Sequence, residues 1–120
     1  MKELRMLMIK RIYDPWSRDD GKRILVDRLW ARGIKKDEAK IDEWLKDIAP
    51  SDALRKWYSH DPDKWTEFRE KYRKELRNKK DIVDRLRNDA KKGRITLVFS
   101  AKDRDRNNAV ALKEMIEDNE

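Results

Sequence analysis

A chain of 120 residues, 38% hydrophobic and 48% charged, has room for one folded domain and no second core, and its five tryptophans argue against disorder. Its net charge is +7, and the two halves carry +4 and +3, so no basic tail is present. With no cysteine and one histidine, the sequence excludes disulfides, thiolate zinc sites, cysteine nucleophiles and histidine-rich metal sites.

Two strands are predicted in the first quarter of the chain. Residues 4–13 predict a strand of about six residues that is buried on both faces in its first half. Residues 14–15, Asp-Pro, end it, because proline has no amide hydrogen to donate. Residues 24–26 predict the second strand. The link between them is at the short limit for a parallel crossover, so both strand directions stay open.

The middle of the chain predicts helices, with one ambiguous segment before them. Residues 36–40 predict one helical turn. Residues 41–48 fit the apolar stripe of a helix, and a short extended segment ending at Pro50 fits nearly as well. Ser51 is the predicted N-cap of a helix whose residues Leu54, Trp57 and Tyr58 face inward.

Three more helices and one strand complete the prediction. Residues 61–62, Asp-Pro, begin a helix with the apolar stripe Trp65, Phe68, Tyr72 and Leu76. Asp81 is the predicted cap of a further helix, which ends at Gly93. Residues 95–99 predict a buried strand, and residues 107–108 precede a last helix.

This order of elements predicts an α/β fold. Strand, strand, helices, strand and helix, with unbroken apolar strands, indicate a small single-domain layered fold over residues 1–120. We expect a mainly parallel sheet of three to four strands flanked by helices. No apolar run reaches the ~20 residues of a membrane span, and no signal-peptide core is present, so we expect a soluble cytoplasmic protein.

Several blocks of the sequence resemble the YeaO-like family, a group of small bacterial and archaeal proteins of unknown function. They are residues 11–15, 20–30, 48–51, 54–57, 96–102 and 107–110, and the most specific is Val-Asp-Arg-Leu-Trp at residues 26–30. The resemblance covers nearly the whole chain and supports the α/β prediction. Through larger relatives it also implies that residues 41–48 are extended.

The chain departs from the family pattern at two positions. The family usually has proline where Ala31 stands, and Asn-His where Asn107 and Asn108 stand. The second departure removes an imidazole that any inherited acid–base chemistry would have used. The resemblance therefore implies a fold and a site without implying a reaction.

The candidate site lies at the carboxyl ends of two predicted strands. Ligands of parallel α/β sheets bind at this edge. One strand leads into Asp27, Arg28, Trp30 and Arg32, and the other leads into Ser100, Lys102, Asn107 and Asn108. Arginine donates paired, charge-assisted hydrogen bonds to phosphate or carboxylate groups, and free amides at a helix start favour anions.

Each candidate also has a structural interpretation. Trp30 is equally suited to the core, and Arg28 and Arg32 to ion pairs with nearby carboxylates. An ion pair is the favoured role of Asp27, and an N-cap is the favoured role of one asparagine. Ser100 lacks a neighbouring base, His60 is typical of a surface histidine, and Lys56 and Trp57 fit an exposed cation beside a core tryptophan.

Three functions compete at this point. The first is a pocket for a phosphorylated or other anionic small ligand, with or without catalysis. The second is a nucleic-acid-binding face made of Arg28, Trp30, Arg32 and Lys56. The third is a structural or protein-interaction domain whose basic surface serves solubility and heat stability. No cofactor or metal signature is present, since the chain has no P-loop, Rossmann glycine pattern, EF-hand or zinc pattern.

Overall fold

Four short strands pair in parallel to form one sheet in the computed structural model, which describes residues 6–118. The strands are β1 (Leu7–Arg11), β2 (Lys22–Leu25), β3 (Glu43–Trp44) and β4 (Ile95–Phe99). Their order in the sheet is β1-β4-β2-β3, so the last strand of the chain lies between the first two. The predicted α/β class and parallel sheet are confirmed.

Strand β4 lies inside the sheet, between β1 and β2, and all five of its residues are buried. It pairs with β1 from Leu7 opposite Ile95 to Arg11 opposite Phe99, and with β2 from Lys22 to Leu25. Both neighbours run parallel to β4 and therefore to each other. The direction of the first two strands, which the sequence leaves open, is parallel, and the connection between them contains one 3-10 turn (Arg18–Asp20).

Four of the five helices contribute to the larger core on one face of the sheet. The helices are α1 (Lys36–Ala39), α2 (Asp52–Tyr58), α3 (Trp65–Arg77), α4 (Lys80–Lys92) and α5 (Asn108–Glu117), with further 3-10 turns at Lys46–Ile48 and Pro62–Lys64. Alternate residues of β2 and β4, such as Ile24, Leu97 and Phe99, join residues of α2, α3, α4 and α5 in this core. Within residues 6–118, no helix is long and apolar enough to cross a membrane.

The opposite face of the sheet is covered by the connection between β2 and β3. Successive residues of a strand point to opposite faces, so Leu25 and Val98 lie on this face, where they pack with Ile12, Ala31 and Ala39. Trp30, Ile34, Ile41 and Trp44 surround this smaller cluster. Only one turn of helix, α1, lies in the connection, so an irregular segment takes the place of a second helical layer.

A buried ion pair lies on the same side of β2 as Leu25. Arg23 is 1% exposed, and its Nη1 donates to Asp20 Oδ2 at 2.6 Å. Lys10 donates to both carboxylate oxygens of Asp20, and the carbonyls of Ala39 and Lys40 accept from the remaining Arg23 nitrogens. Burial alone would raise the pKa of Asp20, but the Ser17 amide, Lys10 and Arg23 outweigh it and lower that pKa.

Two predicted helix caps are present, a third, Asp61, caps the 3-10 turn that precedes α3, and one is wrong. Ser51 accepts from Leu54 N, Asp61 from Asp63 N, and Asn107 from Val110 N. Helix α4 begins one residue before Asp81, and the preceding Lys79 makes no side-chain cap. Asp81 lies in the first turn, where a carboxylate interacts favourably with the helix dipole. Gly93 follows the last residue of α4 as predicted.

Residues 41–48 are extended and then turn, so the helical alternative is wrong. β3 pairs with β2 through Ile24 opposite Glu43 and Leu25 opposite Trp44, and a 3-10 turn follows. The prediction of a first strand buried on both faces is also wrong, since Met8 and Ile9 are half-buried at the edge of the sheet. The beginning of that predicted strand, at Leu4, lies outside the described residues.

Candidate functional site

A cavity of about 440 Å³ lies beyond the carboxyl ends of β1, β2 and β4. This volume is within the range of small-molecule pockets, roughly 300–1,000 Å³. Its wall comes from the residues that follow those strands and from α2, α3 and the start of α5: Tyr13, Asp27, Arg28, Leu29, Trp30, Ala31, Arg32, Ala49, Pro50, Arg55, Tyr58, His60, Phe68, Ser100, Ala101, Asn107 and Asn108. Seven of the eight predicted site residues are among them.

The Asp27 carboxylate forms the inner end of the cavity with Ser100 and Asn108. Its Oδ2 accepts from the Ser100 backbone amide at 2.9 Å and from Ser100 Oγ at 2.8 Å. Its Oδ1 accepts from Asn108 Nδ2 at 3.0 Å. These donors are neutral, so the ion pair favoured for Asp27 from the sequence is not what holds this carboxylate.

The pKa of Asp27 is raised. Burial is the largest cause, because it disfavours the charged form, and the hydrogen bonds from Ser100 and Asn108 oppose it without cancelling it. The electrostatic interaction with His60 also lowers the pKa of Asp27, by a smaller amount. Asp27 is therefore a carboxylate whose charge is only partly compensated by its surroundings.

Arg28 is fixed by the start of α2. Its Nε and Nη2 both donate to the carbonyl of Pro50, at 3.3 and 3.1 Å. Helix α2 is itself anchored, because Ser51 donates from its amide and its hydroxyl to Glu75 of α3. Within residues 6–118, Nη1 of Arg28 has no hydrogen-bond partner, so one end of the guanidinium remains available in the cavity.

Arg32 is exposed and is held through its backbone. Its carbonyl accepts a hydrogen bond from the Tyr13 hydroxyl at 2.8 Å. No hydrogen bond or ion pair of its guanidinium occurs in the part of the chain that the structure describes, so the ion pair of its structural interpretation is absent there. Arg32 contributes an uncompensated positive charge to the cavity rim.

Trp30 lines the cavity but is held from its other side. Its Nε1 donates to the Ile34 carbonyl at 2.6 Å, and its ring meets the edge of Trp44 at a centroid distance of 5.3 Å. Lys36 lies over both rings. Trp30 thus belongs to the smaller core, as its structural interpretation has it, and is poorly placed to stack on a nucleobase.

The remaining predicted residues, Asn107, Asn108 and Lys102, differ in their relation to the cavity. Asn107 is 2% exposed and caps α5, while its Nδ2 donates to the Asp103 carbonyl, so both ends of its amide are used structurally. Asn108 lies beside it and reaches Asp27. Lys102 is exposed and is not among the residues that line the cavity.

Helix α2 supplies cavity residues that the site predicted from the sequence lacks. Arg55 and Tyr58 lie three residues apart on one side of α2, and His60 follows the helix. Arg55 pairs with Asp52 at 2.6 Å, and Tyr58 donates to the Arg106 carbonyl at 3.0 Å. The sequence contained a signal for these residues, since the predicted helix starts at Ser51, just after residues 41–48, whose extended alternative ends at Pro50.

The positive side chains lie at the rim and the negative one lies at the inner end. Arg32 and Arg55 are exposed, Arg28 is half-buried, and within residues 6–118 Asp27 is the one carboxylate that lines the cavity. A ligand entering this cavity meets guanidinium groups first. No group of acidic or histidine side chains arranged to bind a metal ion occurs within residues 6–118.

Comparison with known proteins gives a family and no activity. A family model described as the inactive DUF488-N3 subclade matches residues 6–120. The uncharacterised protein YeaO of Escherichia coli is 44% identical over 110 residues, which cover 92% of this chain and 96% of that protein. An uncharacterised protein of Mycobacterium tuberculosis is 36% identical over 108 residues, 90% of this chain and 91% of its own. No solved structure matches the chain.

Proposed function

Because the chain belongs to the inactive DUF488-N3 subclade, we propose that it binds a phosphorylated or other anionic small ligand without transforming it. The observation that carries this proposal is the convergence of three arginines, two from the connection after β2 and one from α2, on one cavity at the carboxyl edge of the sheet. Guanidinium groups match phosphate and carboxylate oxygens in charge and in geometry.

The contacts of the three arginines support binding. Pro50 fixes Arg28 while leaving Nη1 available, and Arg55 is held in place by Asp52. Arg32 supplies positive charge that the described residues do not neutralise. A donor that is held in place before binding, as Arg28 is, reduces the entropy lost when the site orders around a ligand.

Catalysis has little support from the same geometry. Ser100 Oγ donates its hydrogen to Asp27, but the same carboxylate also accepts from the Ser100 amide and from Asn108, which hold it in a structural role. The single histidine, His60, is at the exposed rim, and the position beside Asn107 where the family usually carries histidine is Asn108. A binding role fits these residues better than acid–base chemistry.

The test is a titration of the protein with pyrophosphate, followed by thermal unfolding and calorimetry. At a hundredfold excess over the dissociation constant, a ligand that binds the folded state adds about 2.7 kcal/mol to the free energy of unfolding. For a domain of this size that is a rise in Tm of roughly 10 °C. We expect Arg32→Ala to weaken binding by about 10- to 100-fold, because a charged hydrogen bond contributes roughly 1.5–3 kcal/mol.

The matched control is Arg18→Ala. Arg18 is also exposed, precedes β2 at the opposite edge of the sheet, and its guanidinium has no hydrogen bond or ion pair within residues 6–118. Both substitutions remove one positive charge, so only a local site distinguishes them. Equal effects of the two, or no stabilisation of the unsubstituted protein by pyrophosphate or nucleoside phosphates, would overturn the proposal.

A further inference from the structure

Within the described residues, the side chains at the inner end of the cavity, Asp27, Ser100 and Asn108, offer hydrogen-bond acceptors and no spare donors. A carboxylate has about four acceptor sites, and Asp27 uses three of them on Ser100 N, Ser100 Oγ and Asn108 Nδ2. Ser100 Oγ donates its one hydrogen to Asp27 and keeps its lone pairs. The inner end therefore retains oxygen lone pairs on Asp27 and Ser100.

Asn108 adds another acceptor. Its Nδ2 donates to Asp27 Oδ1 at 3.0 Å and to the Val26 carbonyl at 3.1 Å, which uses both of its hydrogens. Because both partners are acceptors, the orientation of the amide is fixed with Nδ2 toward them. Its Oδ1 accepts no hydrogen bond in the part of the chain that the structure describes. A ligand group that reaches Asp27 and Asn108 must therefore donate.

Aromatic side chains form part of the wall between the two ends. Tyr58 stacks on Phe68 with ring centroids 4.4 Å apart, and both residues line the cavity together with Tyr13. A cavity wall lined by aromatic side chains suits a planar ring, which loses little conformational freedom on binding. A ligand that fits the whole cavity has an anionic end, a planar body and an end rich in N–H donors.

We propose that this ligand is a nucleotide whose base carries an exocyclic amino group, an inference that rests on the anion-binding function proposed above. The phosphate contacts the arginines at the rim. The amino group donates to Asp27 and to Asn108 Oδ1 at the inner end. Bases with a carbonyl in place of the amino group put oxygen against oxygen there and bind more weakly.

The experiment measures dissociation constants for matched pairs of nucleotides by calorimetry. Adenosine monophosphate is compared with inosine monophosphate, and cytidine monophosphate with uridine monophosphate. In each pair a carbonyl replaces the exocyclic amino group and the adjacent ring nitrogen changes from an acceptor to an N–H donor, so the two members present their donors at different positions. We expect the amino member to bind at least tenfold more tightly, since the other leaves a buried acceptor facing an acceptor.

Asp27→Asn tests the assignment of the inner end. Its side-chain oxygen can still accept from Ser100, and its NH2 group replaces the acceptor that faced Asn108 and the cavity. We expect the preference for the amino member to disappear or reverse. Arg32→Ala should weaken both members of a pair equally and leave their ratio unchanged. Circular dichroism checks that each variant folds. If Asp27→Asn does not fold, the ratio of the two affinities within each nucleotide pair, measured on the unsubstituted protein, decides the question.

The outcomes separate the two proposals. Equal affinity within both pairs, together with loss of binding in Arg32→Ala, overturns the amino-nucleotide inference and leaves the anion-binding function standing. Phosphoethanolamine, which has a phosphate and an ammonium group but no ring, also overturns the inference if it binds as tightly as adenosine monophosphate. If neither nucleotides nor pyrophosphate bind, both proposals are wrong.

Discussion

Asp27 contributes both to the stability of the protein and to its proposed function. Its carboxylate joins the end of β2 to the end of β4 through Ser100 and to α5 through Asn108. It does so without a direct positive partner, which is why burial raises its pKa. The same acceptors that organise the sheet edge are the ones that a ligand would meet.

The raised pKa of Asp27 predicts a pH dependence with a definite sign. Between the unfolded pKa of an aspartate, about 3.9, and the raised pKa of the folded state, the folded protein binds more protons than the unfolded chain. The contribution of Asp27 to the free energy of unfolding therefore falls as pH rises through this window. We expect the unfolding free energy of the unsubstituted protein, minus that of Asp27→Asn, to decrease with rising pH.

Denaturant unfolding at a series of pH values measures this difference. The subtraction is necessary because other carboxylates act in the opposite sense. Hydrogen bonds, chiefly from Arg85, lower the pKa of Glu43, and the pKa of Asp20 is also lowered. These two carboxylates therefore stabilise the folded state more as pH rises. A difference that stays constant or increases with pH would contradict the raised pKa.

At the scale of elements, the turn before β2 depends on Gly21. Its φ of 63° lies in the left-handed region, and its backbone lies close to Arg94, which precedes β4. A Cβ placed there would lie 2.6 Å from the Cβ of Arg94 and closer still to its carbonyl oxygen. That carbonyl accepts the Lys22 amide at 3.0 Å, so moving away would disturb the pairing of β2 with β4.

We predict that Gly21→Ala lowers the free energy of unfolding by about 3 kcal/mol or more, combining backbone strain with a steric clash. The other two glycines provide a graded comparison. Gly33→Ala adds only the strain of a positive φ, 79°, in open space, and should cost roughly 1–2 kcal/mol. Gly93→Ala has neither problem and should change stability by about 0.5 kcal/mol or less.

Urea unfolding of the three variants gives the order directly. If Gly21→Ala costs no more than Gly33→Ala, the close approach of Gly21 to Arg94 does not constrain the turn. The comparison also separates backbone strain from packing, because both glycines have a positive φ and only one has a neighbour within 4 Å.

Elements with a strong local pattern were predictable from the sequence, and elements fixed by distant contacts were not. Helix α3 has an apolar stripe of residues spaced three and four apart, and Phe68, Tyr72 and Leu76 are buried as predicted. Residues 41–48 have an equally good helical stripe but pair with β2, because the open edge of β2 satisfies their backbone. The resemblance to a family, and not the periodicity, indicated the extended state.

At the scale of the whole molecule, the sequence predicted the position of the cavity better than the role of each residue. Parallel strands put Asp27 and Ser100 at one edge, so their meeting followed from the topology. The pairing of Arg28 with the Pro50 carbonyl and the burial of Trp30 against Trp44 depend on how the connection after β2 folds back. No local pattern encodes that path, which explains why Trp30 was a candidate and Arg55 was not.

The distribution of charge bears on the alternative of nucleic-acid binding. The net charge of +7 is shared almost evenly between the two halves of the chain, and many basic residues are paired with carboxylates. Lys56, a member of the predicted binding face, pairs with Asp52 at 3.0 Å. Positive charge spread in this way attracts a polyanion from many directions without selecting an orientation.

We therefore expect any binding of a single-stranded oligonucleotide to be weak and nonspecific. Its association constant should fall steeply with salt, because each neutralised phosphate releases counterions, with a slope of roughly −0.7 per contact on a log–log scale. Arg32→Ala and Arg18→Ala should weaken it equally, whereas only Arg32→Ala should weaken binding of a mononucleotide. Fluorescence anisotropy of a labelled oligonucleotide at several salt concentrations measures both effects. A selective loss in Arg32→Ala with a steep salt slope would show instead that the cavity rim belongs to a nucleic-acid interface.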